Sequence, residues 1–194
     1  VFIVGGNGSG KSTFLKVLTS LYEPSSGQLL WNGKPVTADR LGSYRNLFTP
    51  IFTDFFLFRR LIGVNEADEA HLRDLFATME LSGQVDIVNR ELTTTALSTG
   101  QRKRLALALA ETERRPVFIF DEWAADQDPV FRRFFYTELL PAMKARGQTV
   151  GIDEVREEDR RNDDAARHGQ RERCELMGLY YTTSKSHLTV KTKP

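Results

Sequence analysis

Cysteine is nearly missing from this chain. Cys174 is the only one among 194 residues, which excludes an internal disulfide and fits a reducing compartment. Histidine is scarce too: His71, His168 and His187 are the whole supply, and each falls in a polar stretch where a solvated side chain is expected. No apolar run reaches the roughly 18 to 20 residues that a membrane-crossing helix needs, and the first residues lack the pattern of a secretory signal. An excess of one charge is also absent. Lys and Arg number 27 against 26 Asp and Glu, leaving +1, so there is no broad electrostatic case for an anionic membrane surface and no nucleic-acid partner is expected. What remains is a chain with 40% hydrophobic content, enough for the buried core of one domain.

Against that background one stretch is dense in glycine, Gly5-Gly6-Asn7-Gly8-Ser9-Gly10-Lys11-Ser12-Thr13. Glycines without Cβ let the backbone bend around a phosphate and turn its N–H groups inward, with a helix N-terminus behind them. The spacing is that of G-x-x-x-x-G-K-[ST], in which Lys11 reaches the β- and γ-phosphates and the Ser12 hydroxyl is the expected Mg²⁺ ligand. Gly5, Asn7, Gly8, Ser9 and Gly10 make the cradle, and Thr13 is placed for a contact to the α-phosphate. The flanks suit the motif: Val1 to Val4 form a short apolar run fit for a buried parallel strand, while Phe14, Leu15, Leu18 and Leu21 recur at helical spacing.

A second apolar run, Val117-Phe118-Ile119-Phe120, ends on Asp121-Glu122. It reads as a central strand whose C-terminal end presents Asp121 to a metal. Glu122, one residue on, is expected to align or deprotonate a water behind the γ-phosphorus. Between the two motifs, Leu97-Ser98-Thr99-Gly100-Gln101 precedes Arg102 to Ala110, a stretch of strong helix formers. Ser98, Gly100 and Gln101 therefore mark a helix N-terminus, with amides and a hydroxyl to offer an anion. Ser98 or Thr99 could equally act only as the cap of that helix.

The Ser-x-Gly-Gln turn, together with the glycine loop and Asp121-Glu122, resembles the ATPases of ATP-binding-cassette (ABC) transporters. Gln101 to Leu107, then Phe120-Asp121-Glu122-Trp123-Ala124-Ala125-Asp126-Gln127-Asp128-Pro129, Phe135-Tyr136 and Leu140-Pro141, are similar to the branch that exports cyclic peptides and siderophores, the microcin, syringomycin and pyoverdine type. The resemblance runs to about Val150. It implies an α/β fold, a P-loop NTPase (RecA-like) core with an antiparallel β side layer and an inserted helical lobe. It also implies ATP and Mg²⁺ as cofactors, and two chains head to tail, a homodimer, with each Ser98 turn closing the other's site. A transmembrane domain, fused upstream or in another subunit, would hold the chain at the cytoplasmic face of the membrane. The segment ending at Asp128 corresponds to the D-loop, which crosses the dimer interface, and Asp128 before Pro129 is also placed to cap the next helix. Thr53 falls where most cassette proteins carry a metal-contacting glutamine, with Asp54 beside it, and either is a candidate Mg²⁺ ligand.

The same resemblance organises the rest. Because Val1 already lies in the strand feeding the loop, the chain is expected to be a piece of something longer, with residues 1–150 as the nucleotide-binding domain. Gln28 to Val36 suggests a hairpin around Asn32-Gly33. The helical lobe is expected over about residues 63–115, with the pattern from Gly63 to Leu97 helical and Leu72, Leu75, Phe76 and Met79 on one face. Phe48, Phe52, Phe55, Phe56 and Phe58 either pack internally or form a cleft for a membrane-domain helix. Val130 to Arg146 reads as a helix bent near Pro141.

After Val150 the pattern departs from the family, whose next strand ends in Ser/Thr-His with the imidazole at the γ-phosphate. Here the chain reads Gly151-Ile152-Asp153-Glu154-Val155-Arg156. Loss of one preorganised transition-state contact costs on the order of 10²- to 10³-fold, so binding is expected to survive and hydrolysis to weaken. Residues 151–194 read as an atypical charged tail, with Asp153 to Glu175 a solvated helix or disordered and Leu179 to Val190 one weak strand. Two other classes compete with an exporter motor: a soluble cassette ATPase, and a nucleotide-binding remnant with impaired turnover.

Overall fold

The computed structural model describes residues 2–3, 8–153, 179–184 and 187–192. In chain order the first half holds β1 (Phe2–Ile3), α1 (Lys11–Leu18), β2 (Leu30–Trp31), β3 (Lys34–Pro35), α2 (Leu41–Arg45), β4 (Phe48–Ile51) and α3 (Glu66–Thr78). It continues with β5 (Ile87–Val88), β6 (Glu91–Leu92), α4 (Thr99–Thr112), β7 (Val117–Asp121), α5 (Pro129–Phe134), α6 (Leu140–Ala145), β8 (Thr149–Asp153), β9 (Leu179–Ser184) and β10 (His187–Thr192). The central sheet is β1-β8-β7-β4, and every pairing in it is parallel.

Side chains alternate across a strand, and β7 shows what this does. Phe118 and Phe120 enter one core with Leu105, Ala108, Trp123, Phe131 and Phe135. Val117 and Ile119 enter the other, with Leu15 of α1, Tyr44 and Phe48. Asp121, two residues beyond Ile119, therefore shares the α1 face. β8 lies in register, with Asp121 opposite Asp153, so Asp153 faces the same way.

Smaller elements follow local chemistry. β2 and β3 form the expected antiparallel hairpin, with Asn32 at φ 50° and Gly33 at φ 72°, the left-handed pair that a tight two-residue turn requires. The helix beyond Asp128 runs unbroken from Pro129 to Ala145 but is not α throughout: Phe135–Leu139 is a π segment between α5 and α6. Pro141 has no N–H for the ladder one turn back, and the widened turn absorbs the defect.

Two expectations need correction here. Residues 63–97 are not helical throughout, because β5 and β6 pair as a small antiparallel hairpin after α3. Each strand is only two residues long, too short for any alternation to register. Leu179 to Val190 is not a single strand either, since β9 and β10 pair antiparallel with Leu179 opposite Thr192. The charged run from Glu154 to Glu175, with His168 and Cys174, lies outside the described residues.

Candidate nucleotide site

α1 starts at Lys11 straight after Gly10, whose φ is 89°, and Gly8 stands at 75°. Both are left-handed values that a Cβ disfavours. No side chain caps this helix among the described residues, and a helix start of this kind presents the amides of its first turn to an anion. Gly8, Ser9, Gly10 and Thr13 are exposed there, while Lys11 and Ser12 are half-buried. Gly5 and Asn7 lie outside the described residues.

The alternation along β7 carries Asp121 beneath that helix. Ser12 Oγ donates to Asp121 Oδ1 at 2.8 Å across 109 residues of sequence. Thr53 Oγ1 donates to the Asp121 backbone carbonyl at 3.2 Å and lies 3.5 Å from its Oδ2. A hydroxyl and a buried carboxylate so placed are hard oxygen donors suited to Mg²⁺, which takes few protein ligands and keeps water or phosphate for the rest. Asp54 goes elsewhere: its carboxylate pairs with Lys16 at 3.5 Å and is 75% exposed.

Asp153 brings a second carboxylate to the same place. Its Oδ1 lies 3.6 Å from Lys11 Nζ, the residue is 1% exposed, and neither carboxylate oxygen accepts a hydrogen bond among the described residues. Burial pushes its carboxyl up to about 7; Lys11 pulls the other way, and the Asp121 and Glu122 carboxylates add to the rise. The expectation that Asp153 opens a solvated charged run is thus overturned at that residue. It ends a core strand, and parallel pairing with β7 buries it.

Glu122 turns out of the strand with φ 49°, a strained value for a residue with a Cβ. Its amide donates to the Asp153 carbonyl at 3.0 Å, and the residue is exposed just past the C-terminal end of β7.

Ser98 is the N-cap of α4 and shares a capping box with Gln101. The Gln101 amide donates to Ser98 Oγ at 3.3 Å, and the Ser98 amide donates to Gln101 Oε1 at 3.0 Å. Since Ser98 Oγ accepts, its own proton remains to donate outward, and Ser98 and Thr99 are both exposed. Gln101 is spent within the chain, its Nε2 donating to Gln84. The cap thus leaves the Ser98 hydroxyl at an exposed helix start. Lys11, Ser12, Thr53, Asp121 and Asp153 are brought together, whereas Ser98 and Gly100 belong to a separate turn in which Ser98 is exposed and Gly100 half-buried.

The residues behind that turn escaped the sequence reading. Lys103 and Arg104 look like the solvated face of a helix, yet they are 1% and 7% exposed. Arg104 donates to Gln127 Oε1 at 2.9 Å, to Glu80 at 2.7 Å and to Asp128, and its guanidinium sits 3.6 Å from the Phe131 ring centroid. Asp128 accepts from the Phe131 amide at 2.9 Å, and that bond is the largest of the influences holding its carboxyl below the ordinary value. Gly100 has a packing reason: a Cβ there would come within 2.7 Å of the Asp126 carbonyl oxygen. Two adjacent basic residues just inside a cap, followed downstream by Asp126-Gln127-Asp128, were the available signal.

Comparison with known proteins agrees with this geometry. The ABC transporter family profile matches residues 1–125. The ATP-binding protein SyrD of Pseudomonas syringae pv. syringae is 53% identical over 156 residues, covering 78% of this chain and 28% of that protein. The subtilin transport ATP-binding protein SpaT of Bacillus subtilis is 32% identical over 174 residues, covering 78% and 27%. The structure of cbiO1 from Clostridium perfringens, part of the ABC transporter complex cbiONQ, superposes with a TM-score of 0.61 at 25% identity, covering 80% of this chain and 66% of that one. The chain thus spans under a third of the length of these two curated relatives. A glycine loop opening onto a buried aspartate, an α/β P-loop NTPase core and a matching profile lead to one assignment: the chain belongs to the ABC transporter family.

Proposed function

We propose that this chain binds and hydrolyses ATP to drive an exporter of a cyclic peptide or siderophore-like cargo. The observation that carries the reading is the assembly of Lys11, Ser12 and Asp121 at the end of a parallel sheet, with an exposed Ser98 turn on the same chain. One chain supplies the grip on the β-phosphate through the amides behind Gly10 and the charge of Lys11. Ser12 and Asp121 would hold Mg²⁺, with Thr53 beside them, and the ion would neutralise charge on the phosphate oxygens. Glu122 accepts the proton of the attacking water.

The exposed helix start at Ser98 suits the γ-phosphate of a second copy, so closure on ATP joins two chains head to tail. Asp128 lies beside that junction, and its own hydrogen bonds keep it pinned to α5 and Arg104. The exposed Phe56, Phe58 and Ile62 line an open cleft of about 420 Å³ with Leu57, Leu61 and Ala106. That cleft suits a helix of a transmembrane domain, which would hold the motor at the cytoplasmic face of the membrane; no helix among the described residues is long and apolar enough to cross one.

A second reading, impaired turnover, is favoured by Asp153. It stands at the end of β8, where the family carries Ser/Thr before a histidine, and it occupies Lys11. Steady-state hydrolysis by the purified chain and its Glu122→Gln variant tests both readings. Turnover that Glu122→Gln abolishes while ATP-dependent dimers accumulate supports the motor. Binding without turnover in the wild type supports the impaired form, and no ATP binding contradicts both.

A further inference from the structure

Lys103 is 1% exposed, and a lysine is buried that far only with partners for its charge. Its Nζ donates to the Glu122 carbonyl at 2.7 Å and pairs with Asp126 at 2.6 Å. Its backbone carbonyl accepts from Trp123 Nε1 at 3.1 Å. One residue of α4 therefore holds both sides of the turn that leaves β7. That turn contains Glu122 at φ 49°, and a left-handed conformation persists at a residue with a Cβ only when its surroundings enforce it. The Glu122 amide is fixed on the other side by the Asp153 carbonyl at 3.0 Å.

We infer that Lys103 is a positioning residue for Glu122, holding its backbone so that the carboxylate emerges just past the C-terminal end of β7 beside Asp121. The inference rests on the ATPase reading for its kinetic readout and goes beyond it. Lys103 does not touch nucleotide; it acts through the Glu122 carbonyl. Because the same ammonium binds Asp126, a shift of that segment at a dimer junction would be felt at Glu122 through one side chain. α4 carries the Ser98 turn at its start, so Lys103 also ties the helix that meets the partner's phosphate to the base of its own site.

The test uses the full chain with Lys103→Met, which keeps the length and removes the donor, and Lys103→Gln, which keeps an N–H on a shorter stem. The expected result is a fall in kcat of about 10- to 100-fold for Lys103→Met, with the ATP KM within about threefold of wild type, and partial recovery in Lys103→Gln. Amide hydrogen exchange at Glu122 reads the same inference without turnover: protection should drop locally in Lys103→Met while the β7 amides keep theirs. A folded Lys103→Met with wild-type kcat and unchanged Glu122 exchange overturns the inference. A wild type without Glu122-dependent hydrolysis refutes the ATPase reading instead, and the exchange result then decides the role of Lys103. Loss of protection throughout β7 means that Lys103 serves the core rather than Glu122, which also overturns it.

Discussion

Replacing Asp153 by Asn should tighten ATP binding. Asp153 Oδ1 sits 3.6 Å from Lys11 Nζ, and above about pH 7, where this carboxyl has lost its proton, two unit charges so placed attract by about 5 kcal/mol at an effective dielectric constant of about 20. An incoming γ-phosphate must take Lys11 from this partner and also settle beside a second negative charge. Part of the attraction is already offset by burying the carboxylate, so the expected net gain in the Asn variant is about 1.4 to 2.8 kcal/mol, or 10- to 100-fold in Kd. ATP should gain more than ADP, because Lys11 spans the β- and γ-phosphates. Titration with a ribose-labelled fluorescent ATP, and the same with ADP, at a pH above about 7 so that Asp153 is ionised, reads both numbers. Unchanged or weaker ATP binding in Asp153→Asn would refute the idea that this carboxylate competes for Lys11.

The same residue gives a pH signature in the nucleotide-free chain. The ordinary carboxyl value of 3.8 is raised to about 7 by burial, so between about pH 4 and 7 the folded chain keeps a proton that the unfolded chain has lost. Stability should therefore fall as pH rises through that window, and Asp153→Asn should remove the fall. Urea midpoints measured across the window decide; a profile identical in both proteins would contradict the assignment.

Three further perturbations follow from packing. Gly100→Ala drives a Cβ to within 2.7 Å of the Asp126 carbonyl oxygen, and overpacking of that kind costs about 1 to 3 kcal/mol, visible as a lower urea midpoint. Trp123 is 1% exposed with its ring 4.3 Å from that of Phe135, so Trp123→Ala should cost about 3 to 5 kcal/mol, and a thermal midpoint equal to wild type would deny it a place in the core. Asp128→Ala removes the cap of α5 and should cost about 1 kcal/mol. Since the Asp128 carboxyl is held below its ordinary value, that stabilisation is present above the usual carboxylate range and vanishes as pH falls through its folded value, where variant and wild type should converge.

The parts legible in the sequence are those whose chemistry is local. Gly8, Gly10, Lys11 and Ser12 lie within one loop and one helix turn, so their spacing is enough to bring out the left-handed glycine turn and the helix start behind it. Asp121 was legible because an apolar run ending in an acid marks the C-terminal edge of a strand. The Asn32-Gly33 hairpin and the defect before Pro141 followed from backbone rules that need no partner. Asp153 was not legible: its burial depends on pairing β8 with β7, a register between residues far apart in sequence, and the charged residues after it pulled the reading toward solvent. The burial of Lys103 and Arg104 was not legible either, since nothing local marks a basic helix residue as buried until α5 and the Asp126 to Asp128 segment are folded against it. Gly100 read as part of a motif, while its steric reason lay in a carbonyl 26 residues further on.

The central claim is that each phosphate site is shared between two chains, and complementation tests it most directly. Lys11→Ala disables the loop of one chain and Ser98→Arg the turn of another. In a head-to-tail pair of the two variants, one site collects both substitutions and the other is intact. An equal mixture should thus recover about one quarter of wild-type hydrolysis, since about half the pairs are mixed and each mixed pair holds one sound site of two. Activity no higher than that of either variant alone, with mixed pairs shown to form, would contradict the account.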